Sequence, residues 1–305
     1  MESRRKKTKK KKWPWIVGIL GLLVVGLGVY LFMVYNSFTN TLEEMHEPID
    51  REKSDKRTEE VVFDEKDPFS VLLLGVDERE GDSGRSDTIV VLTINPTEKS
   101  TKMVSIPRDT YTEIVGHGTT DKINHAYAFG GIEMSLATVE NLIDIPIDYV
   151  VQVNMEGFKD IVDAVGGVDV NNSFAFDDFA AGNIHLTGDK ALSYVRMRYE
   201  DPRGDFGRQD RQKQVLQGIM REGASVNSLV NYKDIFTALG DNVRTNMTFD
   251  EMVEVQGNYR DAVGTVDQII VEDGTGETID GIWYYMMNDA ELAEIQETLK
   301  SHLEL

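Results

Sequence analysis

Ser70–Val76 reads SVLLLGV, and Asp77 follows it directly. An unbroken apolar run of this length, closed by a charged residue, suits a strand buried on both faces. Two more β-rich runs come next, Thr88–Asn95 (TIVVLTIN) and Thr101–Ile106 (TKMVSI), joined through Pro96–Ser100 as a hairpin. Beyond them, helical spacing alternates with short extended runs. Ile132–Ile143 places Leu136, Val139, Leu142 and Ile143 on one helical face, Tyr149–Val153 is extended, and a helix near Gly157–Val165 stops at Gly166–Gly167. Further helices are expected over Lys190–Val195, Asp205–Arg221 and Leu229–Leu239, after the capping pair Thr248/Glu251, and from Asp289 to about His302. Strands are expected near Gln268–Val271 and Ile282–Met286. Strands mixed with helices, without a second linker, predict one α/β domain over residues 67–305, of the α/β/α kind with a mixed central sheet.

Toward the N-terminus the composition changes twice. Residues 36–66 hold ten acids against five bases and read as an acidic stalk between domain and membrane. Residues 13–35 carry no formal charge and, as one transmembrane helix, reach roughly 30–35 Å. Trp13, Trp15, Tyr30 and Tyr35 stand near its ends, where amphipathic aromatics favour the interface. Residues 1–12 hold eight Lys or Arg and one acid, so the expected topology is a single pass through the cell membrane, basic tail cytoplasmic and domain extracellular. A cleaved secretory signal is the competing reading. Its apolar core would be shorter, and Tyr35–Phe38 offers no small-residue cleavage site.

The net charge of −21 hides this asymmetry, because residues 36–305 hold 24 bases and 52 acids. So acidic a body repels nucleic acid, and no nucleic-acid partner is expected. Cysteine is absent, which excludes disulfides and thiolate metal sites. No P-loop ending, G-x-S-x-G elbow or HExxH pattern occurs, and His117, His125 and His185 have no metal-ligand spacing.

Two acids flank the first strand connection: Asp77 closes LLLGVD and Asp87 opens the next strand in GRSDTIVV. Antiparallel pairing of those strands brings both carboxylates to one edge, a donor set suited to Mg²⁺, although Asp beside a strand is also an ordinary turn residue. A basic cluster accompanies them. Arg108 follows a strand in SIPRDT, Lys122 lies in DKINHAY, and residues 196–213 hold six bases against four acids. In VRMRY an extended reading puts Arg196 and Arg198 on one side. On the following helix Arg208, Gln212, Val215 and Ile219 form one stripe, with Asp205 a turn earlier. Converging guanidiniums suit a pyrophosphate, since each offers a planar pair of donors; a solvated helix start is the alternative.

Taken in order, the basic tail and anchor, LLLGVD, GRSDTI, SIPRDT, DKINHAY, ALSYVRMRY and DFGRQDRQKQ resemble the LytR–CpsA–Psr family of Gram-positive envelope proteins. The resemblance implies a transferase. Such enzymes move an anionic glycopolymer, wall teichoic acid or a related polymer, from an undecaprenyl-pyrophosphate carrier to the C6 hydroxyl of N-acetylmuramic acid in peptidoglycan, with Mg²⁺ present. By motif, Asp77 and Asp87 match the metal-binding acids. Arg85, Arg108, Lys122, Arg196, Arg198, Arg208 and Gln212 match the groups around the pyrophosphate, with Asp205 the acid close by. Asp205 and a metal-linked Asp87 both stand as general base. For the carrier lipid, the Phe174–Phe179 region and the Ile132–Ile143 helix are candidate grooves, against ordinary packing. The rival functions are a non-enzymatic binder of lipid-linked precursors, a pyrophosphatase and a transcriptional regulator.

Overall fold

The computed structural model describes residues 28–305 except 31, 38, 42, 50, 52, 78–83, 198–199, 204, 224–231 and 264–265. Residues 1–27, and with them the basic tail and most of the expected membrane span, lie outside the described residues. Among those described, no helix is long and apolar enough to cross a membrane.

In chain order the strands are β1 (Phe69–Val76), β2 (Ser86–Asn95), β3 (Ser100–Ile106), β4 (Tyr111–Ile114), β5 (Thr119–Lys122), β6 (Tyr149–Asn154), β7 (Val168–Asn172), β8 (Gly182–Leu186), β9 (Val243–Thr245), β10 (Val266–Ile269), β11 (Thr275–Ile279) and β12 (Ile282–Met286). The helices are α1 (His125–Ile143), α2 (Met155–Ala164), α3 (Gly188–Arg196), α4 (Asp205–Gly223), α5 (Tyr232–Asn242), α6 (Phe249–Asn258), α7 (Arg260–Val263) and α8 (Asp289–His302). The central sheet runs β10-β3-β2-β1-β6-β9. β2 pairs antiparallel with β1 and β3, whereas β6 is parallel to β1 and β10 to β3, so the sheet is mixed as expected.

β1 lies between β2 and β6, which explains its unbroken apolar run: both faces are covered. Leu72, Leu74 and Val76 join Ile89, Val91, Val104 and Ile106 in a core shared with Leu136, Val139 and Ile143 of α1 and Ile295 and Leu299 of α8. The alternate residues turn to the other face. There Phe69, Val71 and Ile94 pack with Phe63, Tyr149 and Tyr259, and the rings of Phe63 and Phe69 meet edge-on at 5.2 Å. The period of two along each strand thus splits one hydrophobic run into two cores.

The chain from residue 46 to 66 is not a free-standing spacer. His46 bridges to Thr245, Arg51 donates to Glu140 Oε2 at 2.7 Å, and Arg57 grips both oxygens of Asp148 at 2.8 and 2.7 Å. Phe63 is 3% exposed inside the second core. The acidic stalk expected over 36–66 is therefore, in its C-terminal half, part of the domain. The partners of Arg51 and Arg57 lie 89 and 91 residues downstream and that of His46 farther still, and composition carries no sign of them. Both lipid-groove candidates prove to be packing. Phe174, Phe176 and Phe179 cluster with Tyr194, and the apolar face of α1 fills the main core.

Candidate functional site

Antiparallel pairing sets Val76 opposite Ser86, after a register shift at Gly75, and the Asp77 amide donates to the Arg85 carbonyl at 3.1 Å. Asp77 and Asp87 therefore leave the sheet at one edge. β3 delivers the next residues to the same edge. Pro107, which has no N–H for the ladder, follows Ile106, and Thr110 closes a tight turn by donating its amide (3.0 Å) and hydroxyl (2.6 Å) to the Pro107 carbonyl. That turn presents Arg108 and Asp109.

The β4–β5 hairpin returns Lys122 alongside. The Ile123 amide donates to the Thr110 carbonyl (2.8 Å) and the Asn124 amide to the Arg108 carbonyl (3.2 Å), so the two segments are stitched together. Asp77, Arg85, Asp87, Arg108, Asp109, Lys122, Asn124 and His125 line one cavity of about 330 Å³. Inside it Arg108 meets Asp87 at 2.8 Å and Lys122 meets Asp109 at 2.7 Å. Lys122 also stands 5.8 Å over the ring of Tyr284, whose hydroxyl donates to Asp121.

Five sequence candidates thus share a cavity: Asp77, Arg85, Asp87, Arg108 and Lys122. Arg196 joins them through Asp77, its Nη2 lying 4.0 Å from Oδ2. Arg196 does not belong to an extended segment, as its alternation with Arg198 suggested. It is the last residue of α3, and the chain becomes extended only at Met197. Helical packing of Ala191, Leu192, Tyr194 and Val195 prevails over the short alternating pattern. Arg198 lies outside the described residues, as does the side chain of Asp205, the first residue of α4. Arg208 and Gln212 are half-buried on α4 above fully buried Val215, as the stripe required, but they are not among the residues lining the cavity.

What fixes the α3–α4 corner is Arg211 with Asp201, a pair that the sequence offers only as two of the ten charges of residues 196–213. Arg211, 3% exposed, donates Nη1 to Asp201 and Nε to the Tyr194 carbonyl at 3.0 Å, and it lies 5.4 Å over the ring of Phe176. Asp201 approaches so close to Gly207 that a Cβ there would stand 1.6 Å from its Oδ2. Burial raises the Asp201 pKa, yet bonds from Arg211 and the Arg203 amide prevail and hold it below the usual carboxylate value. The carboxyl of Asp109 and the amide of Asn124 were also missed; each sits beside a residue that was singled out.

Among the described residues no group of three or more His, Cys, Asp or Glu side chains forms a metal cluster. The cavity holds three carboxylates, of which Asp109 is engaged by Lys122, and the remaining pair, Asp77 and Asp87, fits Mg²⁺, which takes one or two carboxylates and completes its shell with water and phosphate.

A second cavity, of about 200 Å³, opens on the opposite face of β1–β3. Val71, Leu92, Ile94 and Met103 floor it, Lys213 and Leu216 of α4 and Val255 of α6 wall it. Arg208, Gln212 and Leu216 follow one another at intervals of four along α4, so one helical ridge runs from the basic stripe to this apolar space.

A model of the LytR_cpsA_psr family matches residues 32–301. A Bacillus cereus protein named polyisoprenyl-teichoic acid–peptidoglycan teichoic acid transferase TagU is 54% identical over 301 residues, spanning 97% of this chain and 99% of its own. The crystal structure of B. subtilis TagU aligns with a TM-score of 0.64 at 50% identity over 79% of this chain and 98% of that one. A structure described as TagT bound to LI-WTA aligns with a TM-score of 0.72 at 34% identity, over 85% of this chain and all of that one. With a family match over most of its length and the mixed sheet of these relatives, the chain belongs to the LytR–CpsA–Psr family.

Proposed function

We propose that the protein is a membrane-anchored transferase that moves an anionic glycopolymer from an undecaprenyl-pyrophosphate carrier to a hydroxyl of peptidoglycan. The observation that carries this reading is the cavity in which Asp77 and Asp87 face Arg85, Arg108 and Lys122. A pyrophosphate needs fixed cations around it, and charge that develops on its oxygens during displacement is best met by donors already in place. Arg108 is held by Asp87 and Lys122 by Asp109, so neither has to be ordered when substrate arrives. In the reaction the acceptor oxygen bonds to the phosphorus that carries the glycopolymer. The bond from that phosphorus to the bridging oxygen breaks, undecaprenyl phosphate departs, and the hydroxyl proton passes to a carboxylate. Asp87, which lines the cavity, is one candidate for that base, and Asp205, matched by motif alone, is the other. When bound, Mg²⁺ held by Asp77 and Asp87 would offset charge on the phosphate oxygens. The apolar cavity beside α4 suits part of the prenyl chain, with Arg208 and Gln212 on the ridge between. The names of the relatives support the same substrates.

The test is a reaction of the full chain with a lipid-pyrophosphate-linked glycopolymer and uncrosslinked peptidoglycan strands. Polymer bound covalently to glycan is expected, and Arg108→Ala should lower the rate about 10²-fold. Donor consumed with only free polymer released would instead make the protein a pyrophosphatase. Donor bound and never consumed would make it a binding module.

A further inference from the structure

Asn124 occupies the N-cap of α1, yet its side chain makes no capping bond. In that place Asn ordinarily turns Oδ1 back to a free amide of the first turn. Here Asn124 is 5% exposed, lines the cavity of Asp77 and Asp87, and its buried Oδ1 meets no partner among the described residues. A buried carbonyl oxygen left unbonded has lost its water without compensation. An occupant of the cavity with a hydroxyl to donate supplies it.

The neighbouring surface says what such an occupant looks like. His125, the next residue, also lines the cavity, its Nδ1 2.8 Å from Asp121 Oδ2. Phe129 meets the His125 ring at 5.9 Å and stacks flat on His117 at 4.0 Å and 9°. His117 is held by Thr119 at 2.8 Å, in a turn where Gly116 and Gly118 take φ of +82° and +73°. Phe129 remains 43% exposed. A fixed, solvent-facing aromatic platform therefore continues outward from the cavity. It adjoins the cavity at His125. Asp121 below it is charged: burial opposes ionisation, but bonds from His125, the Lys122 amide and Tyr284 lower its pKa. A polyphosphate chain is poorly served by such an edge, and the uncharged C–H face of a sugar ring is well served.

We infer that Asn124, His125, Phe129 and His117 form the subsite for the acceptor glycan. A pyranose ring lays its C–H face on Phe129, and the hydroxyl that reaches into the cavity donates to Asn124 Oδ1. This rests on the transferase reading above, and names the residues that select a sugar hydroxyl over water as the nucleophile.

The probe is a soluble oligosaccharide of β-1,4-linked N-acetylglucosamine and N-acetylmuramic acid, added to the full chain in detergent without donor. Saturation-transfer NMR should show binding to the wild type, about tenfold weaker binding to Phe129→Ala, and near wild-type binding to Phe129→Tyr. With a lipid-pyrophosphate donor, Phe129→Ala should raise the acceptor KM about tenfold with donor KM within about twofold, and Asn124→Ala should shift product about tenfold from glycan-linked toward hydrolysed polymer. Thermal melts establish that the variants fold. Oligosaccharide that ignores the wild type, or binds Phe129→Ala equally well, overturns the subsite. If Asn124→Ala weakens Mg²⁺ binding and leaves the product ratio alone, its Oδ1 belongs to the metal and the hydroxyl assignment falls. The NMR arm needs no turnover, so intact oligosaccharide binding without transfer sinks only the transferase reading.

Discussion

Arg211 and Asp201 show how a buried ion pair can shape a site it does not line. Their side chains are 4% and 0% exposed, and removing one partner leaves an uncompensated charge, a loss of about 3–5 kcal/mol. Arg211→Ala should show that loss in urea unfolding. Asp201 carries the pH signature. Its pKa is depressed in the folded state, so its contribution is full above the unfolded value of about 4 and fades as pH falls through the lower folded value. The stability gap between wild type and Asp201→Asn should therefore be largest near neutrality and shrink toward pH 3; a gap independent of pH would remove the charge from the account. In the sequence Arg211 is only one of the six bases of residues 196–213, three positions after Arg208 on α4. Their fates differ because residue 211 turns under Tyr194 and Phe176 and is buried there, whereas Arg208 stays half-buried. The shared placement of Asp77 and Asp87 was easier to read, because both bound strands whose apolar runs are unmistakable.

At the scale of elements, the segment before β1 behaves as a clasp. Arg51 and Ser54 both reach Glu140 on α1, and Asp148, gripped by Arg57, also accepts from the amide and hydroxyl of Ser70 at the start of β1. A version beginning at residue 67 loses these bonds and the Phe63 ring. Its Tm should fall on the order of 10 °C below that of a version beginning at residue 46. Equal melting temperatures would return the segment to the role of spacer. The three central strands and α8 were legible because their apolar spacing repeats cleanly. β4, β5, β7 and β8 were not: they are four or five residues long, carry Thr, Asp or Asn, and have few fully buried apolar side chains. The β4–β5 hairpin builds one wall of the site, so the part of the fold nearest the chemistry was the least visible.

For the whole molecule, the charge asymmetry between residues 1–12 and the acidic remainder predicts a domain displayed outside the cell. Protease added to intact, wall-stripped cells should remove it; resistance until the membrane is breached would reverse the orientation. α8 adds something of another kind. His302 is 1% exposed, lies 2.8 Å from the Thr93 hydroxyl and 3.0 Å from that of Ser100, and its carbonyl accepts from Asn95. These contacts join positions some 200 residues apart, across the two central strands that leave the ribosome early. The part of the β2–β3 face that α8 covers must therefore stay open through most of synthesis, even once α1 has packed beside it. Long-range closure of this sort makes folding slow and leaves the nascent chain dependent on whatever keeps bare strands apart until its final turn of helix arrives.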